Sequence, residues 1–486
     1  MSYLDKVIER TSNFTAARSK DSRKKYGQFF TSESSAIFMA SLFDIDASKP
    51  ALRILDAGAG TGILSVALVS RLLDSYPGEI HLVCYETDEN VLGLLRQNLA
   101  AIAEPRFSFE IRSENYLLSQ EFCGDDLFGP EPAEQYDLII GNPPYKKVPK
   151  ELDEANHMAA VCHGAPNLYF MFWAMGIQNL KDGCEMVYIV PRSWTSGAYF
   201  KAFRQYLLSR CSIISIHLFN SRDKVFDGED VLQETMIIKI RKNQSHPQFL
   251  RMSCTENSDF SDLRIFDVPY SVVVPDNDYV FLVTNEKEAD VLSKLNKFDS
   301  TLKSNGTPMK TGLIVDFRAR DAIRSKAGEN TYPLLYSHNI RDGRVTWPQD
   351  TESEYLCTEK KSFLQDNVDY LLCKRFTAKE EKRRLQCGIY LSEEHPEYRM
   401  ISTQNKVNFI KAGCTEEAFG LYVLLNSSWY DTYYRVLNGS TQVNSTEVNT
   451  MPVPSANVIR QMGAELMGRQ LSVENCDAIL EERING

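Results

Sequence analysis

Short runs of β-branched and aliphatic residues at 52–55, 79–85, 107–111, 136–140, 185–190, 213–218 and 234–240 alternate with helical patterns along the first half of the chain. Runs of that length bounded by polar turns predict strands, and their alternation with amphipathic stretches predicts a parallel sheet covered by helices. Seven such strands suffice for a complete doubly wound, Rossmann-like α/β domain. After residue 240 the pattern gives way to the polar stretch 241–262, with Asn243, Ser245, His246 and Pro247, which reads as a linker. A boundary is therefore expected near residue 244, dividing the chain into 1–244 and 245–486. The second part is mixed and less periodic, and its fold is not legible from pattern.

Composition changes this picture little. With 486 residues, 43% of them hydrophobic and 24% charged, the chain has an ordinary globular make-up and room for two or three domains. No apolar run approaches the roughly 18 to 20 residues of a spanning helix, and the first ten residues alternate charges where a signal peptide would be apolar. A soluble, cytoplasmic protein without a membrane partner is expected. The 11 cysteines form no C-x-x-C pair and the seven histidines no His-x-x-x-His pair, so neither a disulfide framework nor a metal site is suggested. The net charge of −11 argues against a nucleic-acid partner, but the local field matters more. Segments 18–25 and 374–384 are strongly basic, the second through Lys374, Arg375, Lys379, Lys382, Arg383 and Arg384.

The first chemical signal is Asp56-Ala57-Gly58-Ala59-Gly60-Thr61-Gly62, between the strand at 52–55 and a helical run. Glycines there allow a tight turn and a close approach of backbone to ligand, while the following helix presents free N–H groups. The next strand ends at Glu86, a carboxylate placed to hold ribose hydroxyls. Dinucleotide enzymes share this arrangement, so a dehydrogenase and a methyltransferase both remain open. The signal that separates them is Asn142-Pro143-Pro144-Tyr145, directly after the strand at 136–140 and Gly141. An amine conjugated to an aromatic ring or carbonyl is a poor nucleophile. The side-chain oxygen of Asn142 and the main-chain carbonyl of Pro143 can accept its protons and favour the pyramidal geometry of attack. Pro144 stiffens the turn with Pro143, and Tyr145 offers a face on which a planar group can stack.

With these motifs the chain resembles the γ-type N6-adenine DNA methyltransferases, restriction-modification methylases of the Eco57I and TaqI kind. Gly27-Gln28-Phe29-Phe30-Thr31 is similar to their N-terminal cofactor motif, the glycine motif precedes Asn-Pro-Pro-Tyr, and a large C-terminal segment remains for target recognition. The resemblance implies a methyltransferase domain that binds S-adenosylmethionine through Gly27, Phe29, Phe30, Thr31, Asp56, Gly58, Gly60, Gly62, Glu86, Asn115, Tyr116 and Asn142. The family has an aspartate where Asn115 stands, contacting the cofactor's adenine amine, and a proline where Ser32 stands. Phe226 matches an aromatic that stacks on the flipped base opposite Tyr145, and Asn167-Leu168-Tyr169-Phe170 the start of a helix lining the cofactor pocket. Thr311 to Arg318 and Asn438 to Asn444 look like segments of target-recognition domains. Lys374, Arg375, Lys379, Arg383, Asn438, Ser440 and Gln442 are the expected DNA contacts. The implied activity is methylation of adenine N6 in double-stranded DNA, by base flipping, beside a cognate restriction endonuclease. Protein glutamine and RNA base methylation use the same Asn-Pro-Pro-Tyr chemistry and stay open.

Overall fold

The computed structural model describes residues 2–16, 31–124, 132, 134–164, 166–220, 235–243, 245–276, 278–378, 381–437 and 441–485. The chain forms two compact units, Met1–Thr284 and Asn285–Gly486.

In the first unit the order is α1 (Tyr3–Ala16), α2 (Glu33–Ser41), β1 (Ala51–Ala57), α3 (Ile63–Ser75), β2 (Glu79–Tyr85), α4 (Glu89–Ala100), β3 (Phe107–Arg112), β4 (Tyr136–Gly141), α5 (Asp153–His157), α6 (Leu168–Asn179), β5 (Leu180–Pro191), α7 (Lys201–Arg210), β6 (Cys211–Phe219), β7 (Thr235–Lys242), β8 (Phe249–Thr255) and β9 (Arg264–Pro269). These strands make one sheet in the order β3-β2-β1-β4-β5-β7-β6-β8-β9. The first five positions are parallel, and β7 is antiparallel to both β5 and β6. Every residue of β4 is buried, as expected of a strand covered on both faces. Helix starts follow their caps: Ser32 accepts the Ser35 N–H for α2, Asp88 the Asn90 N–H for α4, and Asn167 the Tyr169 N–H for α6. Ser32 thus performs a capping task that the family's proline could not.

All seven expected strands are present, with the last described from Thr235. The expected boundary at 244 is not where the compact unit ends. The stretch read as a linker contains β8, which pairs parallel with β6, and β9 closes the sheet beyond it. Leu250, Met252 and Cys254 are the buried apolar residues of β8, with Ser253 and Thr255 buried between and after them. Three buried apolar residues interleaved with polar ones make a weak signal, and pairing with β6 turns it into a strand.

The second unit carries a six-stranded sheet built around Tyr370–Lys374, Cys387–Tyr390 and Val407–Lys411, and a five-stranded sheet around Thr331–Leu335 and Met400–Thr403. Helices Thr415–Asn426 and Ala456–Leu466 meet where Gly420 and Gly463 face backbone. A Cβ at Gly420 would fall 1.9 Å from the Ile459 carbonyl oxygen, and one at Gly463 1.7 Å from that of Glu416. Only glycine permits this crossing. Among the described residues no helix is long and apolar enough to cross a membrane.

Candidate active site

The chain passes from β1 outward to β2 and β3, then returns to β4 on the other side of β1. Such a reversal opens a crevice at the carboxyl ends of the strands. A cavity of about 340 Å³ lies there, a size suited to a small-molecule ligand. Thr31, Asp56, Gly58, Gly60, Glu86, Asn115, Tyr116, Asn142 and Pro144 all line it, so residues expected to act together from three separate motifs share one cavity.

The glycine turn forms its floor. The N–H groups of Gly58 and Ala59 both donate to the Tyr85 carbonyl, at 2.8 and 2.9 Å, folding the turn back onto the end of β2. Gly62 starts α3 with φ of 86°, a left-handed conformation, and a Cβ there would sit 2.8 Å from Leu95 Cδ1. Thr61 anchors the turn from outside: its hydroxyl accepts from Thr11 Oγ1 of α1 at 2.9 Å, and its carbonyl from Asn98 Nδ2 of α4 at 2.9 Å.

Two carboxylates face this turn. Glu86 accepts the Gly60 N–H at 2.9 Å and the Asp88 N–H at 2.8 Å. Burial nevertheless raises its pKa above the ordinary value, against the lowering by these backbone donors. Asp56 is 1% exposed. One oxygen accepts from Ser65 Oγ at 2.6 Å, and the other, Oδ1, is buried without a partner among the described residues. Burial pushes the Asp56 carboxyl up to about 7; the Ser65 hydrogen bond lowers it, and the nearby charge of Glu86 raises it further. A buried acid with one orphaned oxygen at a cavity wall suits a cationic or donor group of a ligand.

Across the cavity, Asn142 donates from Nδ2 to Thr31 Oγ1 at 3.2 Å. The last residue of the N-terminal motif therefore orients the amide of the Asn-Pro-Pro-Tyr motif. Pro143 is buried beneath the turn. Tyr145 is buried too; its hydroxyl donates to the Ile189 carbonyl at 2.9 Å, and its ring meets Tyr169 edge-on at 6.3 Å. This anchoring fixes the ring against β5. Tyr116 donates to Asn179 Oδ1 at 2.7 Å and packs against Phe172 at 5.4 Å, giving the cavity an aromatic wall. Phe172 was not singled out from sequence, though it lies one helical turn after Leu168, which lines the cavity with it. Lys146 and Glu154 also line the cavity and carry no local motif. Gly27, Phe29, Phe30, Phe226, Lys379, Asn438 and Ser440 lie outside the described residues. Among the described residues no group of His, Cys, Asp or Glu could hold a metal ion.

The Eco57I restriction-modification methylase family matches residues 82–226. The type II methyltransferase M.BsuBI of Bacillus subtilis is 33% identical over 454 residues, spanning 91% of this chain and 90% of its own. The chain belongs to the type II methyltransferase family. M.PstI of Providencia stuartii, another type II methyltransferase, is 30% identical across 95% of this chain and 93% of its own. Among solved structures, a nuclease-deletion mutant of the Type ISP restriction-modification enzyme LlaGI, in complex with a DNA substrate mimic, is 12% identical, covers 91% of this chain and 54% of that one, with a TM-score of 0.49. The cavity of this methyltransferase lies at the switch point between β1 and β4, where open α/β sheets take their ligands.

The second unit of the methyltransferase brings part of the expected recognition set together. Arg375 donates through Nη1 to the Asn405 carbonyl at 3.0 Å and through Nη2 to Gln442 Oε1 at 3.5 Å. Lys374 ends the strand just before it and is half-buried. Arg383 is half-buried, with Nη2 on the Ser427 carbonyl at 3.0 Å. Arg384 is 1% exposed and packs over Tyr434. The charge run at 374–384 is therefore divided between surface and interior.

Proposed function

We propose that this methyltransferase carries the methyl group of S-adenosylmethionine to the N6 amine of an adenine flipped out of duplex DNA, as the modification enzyme of a restriction-modification system. The observation that carries the reading is the convergence of Asn142 with Asp56, Glu86 and the glycine turn on one cavity. The residues fit the cofactor: Asp56 offers a buried, orphaned oxygen for a positive group, Glu86 a carboxylate for hydroxyls, and Tyr116 with Phe172 an apolar wall for a purine. When bound, the cofactor supplies a methyl group on a sulfonium, activated for direct displacement.

The chain's own residues do the rest. Asn142, its amide oriented through Thr31, and the Pro143 carbonyl accept the N–H protons of the incoming amine and direct its lone pair toward the methyl group. No covalent intermediate on the protein is needed, because the amine itself is the nucleophile. A base paired and stacked in a duplex cannot reach such a cavity, so the target must leave the helix, with aromatic contacts from Tyr145 and Phe226 offsetting part of the unstacking cost. Lys374, Arg375, Lys379, Arg383, Asn438, Ser440 and Gln442 remain the proposed DNA contacts, Arg375 and Gln442 acting as a hydrogen-bonded pair.

Incubation with labelled S-adenosylmethionine and unmethylated duplex DNA, followed by nucleoside analysis, tests the reading. N6-methyl-deoxyadenosine from wild type and none from Asn142→Ala is the expected result. Label on cytosine, RNA or protein instead would overturn it.

A further inference from the structure

Five carboxylates line the cavity: Asp56, Glu86, Asp88, Glu114 and Glu154. Asp56 and Glu86 face the glycine turn, and Asp88 caps α4. Glu154 on α5 stands apart from that turn and is oriented from another part of the chain. Its Oε1 accepts a hydrogen bond from Asn115 Nδ2 at 2.7 Å. The opposite end of the same amide, Asn115 Oδ1, accepts the Leu117 N–H at 3.0 Å. Turning the amide over would set oxygen against carboxylate and NH₂ against N–H, so its orientation is determined by its two partners. Asn115 is thus engaged at both ends and holds the Glu154 carboxylate on the cavity that Tyr116 and Phe172, packed against each other, supply with an aromatic wall.

A purine against that wall presents an exocyclic amine at its edge, and that amine needs an acceptor. A carboxylate accepts through about four lone-pair positions, of which Asn115 takes one, and a hydrogen bond to a charged acceptor is roughly twice as strong as one to an amide oxygen. We infer that Glu154 is the residue that reads the adenine amine of the cofactor, with Asn115 as its positioning partner, and that this pair makes the site selective for a 6-amino over a 6-oxo purine. A 6-oxo group would set its oxygen against the carboxylate and leave both unsatisfied. The inference rests on the cofactor reading given above and adds to it the origin of nucleoside selectivity.

Titration calorimetry of the full chain with S-adenosylhomocysteine and with its 6-oxo analogue, S-inosylhomocysteine, tests this without turnover. Wild type should favour the 6-amino ligand by about tenfold or more, since a site built to bond a polar group rejects an analogue lacking it. Glu154→Gln and Glu154→Ala should each weaken binding of S-adenosylhomocysteine and narrow the preference to about threefold or less, because the glutamine amide can meet either purine edge. Glutamine still accepts from Asn115 Nδ2, so a merely structural role predicts an unchanged preference in Glu154→Gln. That result would overturn the inference while leaving the cofactor reading intact. Failure of wild type to bind S-adenosylhomocysteine at all would overturn the cofactor reading and this inference with it.

Discussion

Replacing Asp56 by asparagine should make the empty protein more stable at alkaline pH while weakening its hold on the cofactor. The carboxyl is buried, pairs among the described residues only with Ser65, through one oxygen, and has a pKa of about 7 in place of the ordinary 3.8. A raised pKa means that the folded state holds the proton more tightly than the unfolded state. The stability this contributes is complete below the unfolded value and is lost as pH rises through the folded one. At 1.36 kcal/mol per pKa unit, a rise from 3.8 to about 7 corresponds to about 4 kcal/mol lost across the full range. Between about pH 5.5 and about pH 8.5 the linkage relation assigns about 2 kcal/mol of that loss to Asp56. Asparagine has no proton to lose, so the stability of Asp56→Asn relative to wild type should rise by about 2 kcal/mol between those conditions, a shift of several degrees in melting temperature. Calorimetric melts of both proteins without ligand supply the measurement. A positive ligand favours the ionised acid, so wild type should bind S-adenosylmethionine more tightly as pH rises toward 8, with Asp56→Asn binding weakly and without this dependence. Parallel stability curves for the two proteins, or a cofactor affinity in wild type that ignores pH, would refute the account of Asp56 as a buried acid awaiting a cation.

Three further outcomes follow from the geometry. Gly62→Ala places a side chain in a left-handed conformation with φ of 86° and 2.8 Å from Leu95 Cδ1, and should lower stability by about 1–3 kcal/mol in denaturant titration and weaken cofactor binding with it. Thr11→Val removes the donor to Thr61 Oγ1 at 2.9 Å and should cost about 1 kcal/mol; because Thr61 lies in the glycine turn, cofactor affinity should fall while the DNA affinity of the ligand-free protein is unchanged. Lys374→Ala should weaken DNA binding almost equally for all sequences and reduce the slope of log affinity against log salt by about one, as loss of one phosphate contact requires; gel-shift titrations at several salt concentrations measure this, and an unchanged slope would place Lys374 off the interface.

Much of the methyltransferase was legible in its sequence because the relevant signals are local. Apolar runs at 136–140 and 79–85 could only be buried strands, and the turn at 58–62 needed glycine for its left-handed backbone. The alternation of strand and helix committed the chain to a parallel sheet, and Asn142-Pro143-Pro144-Tyr145 at a strand end pointed to amine chemistry. β8 was missed because its buried apolar residues Leu250, Met252 and Cys254 alternate with polar ones and follow Pro247; only pairing with β6 distinguishes it from a linker. The second unit stayed opaque for a related reason: its strands are short, and their partners lie far along the chain.

What sequence alone determined, then, is which segments have regular structure and which chemical groups the protein carries, since propensity, periodicity and turn chemistry act over a few neighbouring residues. Tertiary structure decided which of those groups meet and in what state. Thr31 reaches Asn142 across 111 positions and Asn115 reaches Glu154 across 39, contacts that no local pattern encodes. Burial raises the Asp56 pKa to about 7, and burial depends on everything packed around it. The same packing buried Arg384 while Lys374, Arg375 and Arg383 remained partly exposed in one basic run, because each cation goes where a carbonyl, a ring or water can satisfy it.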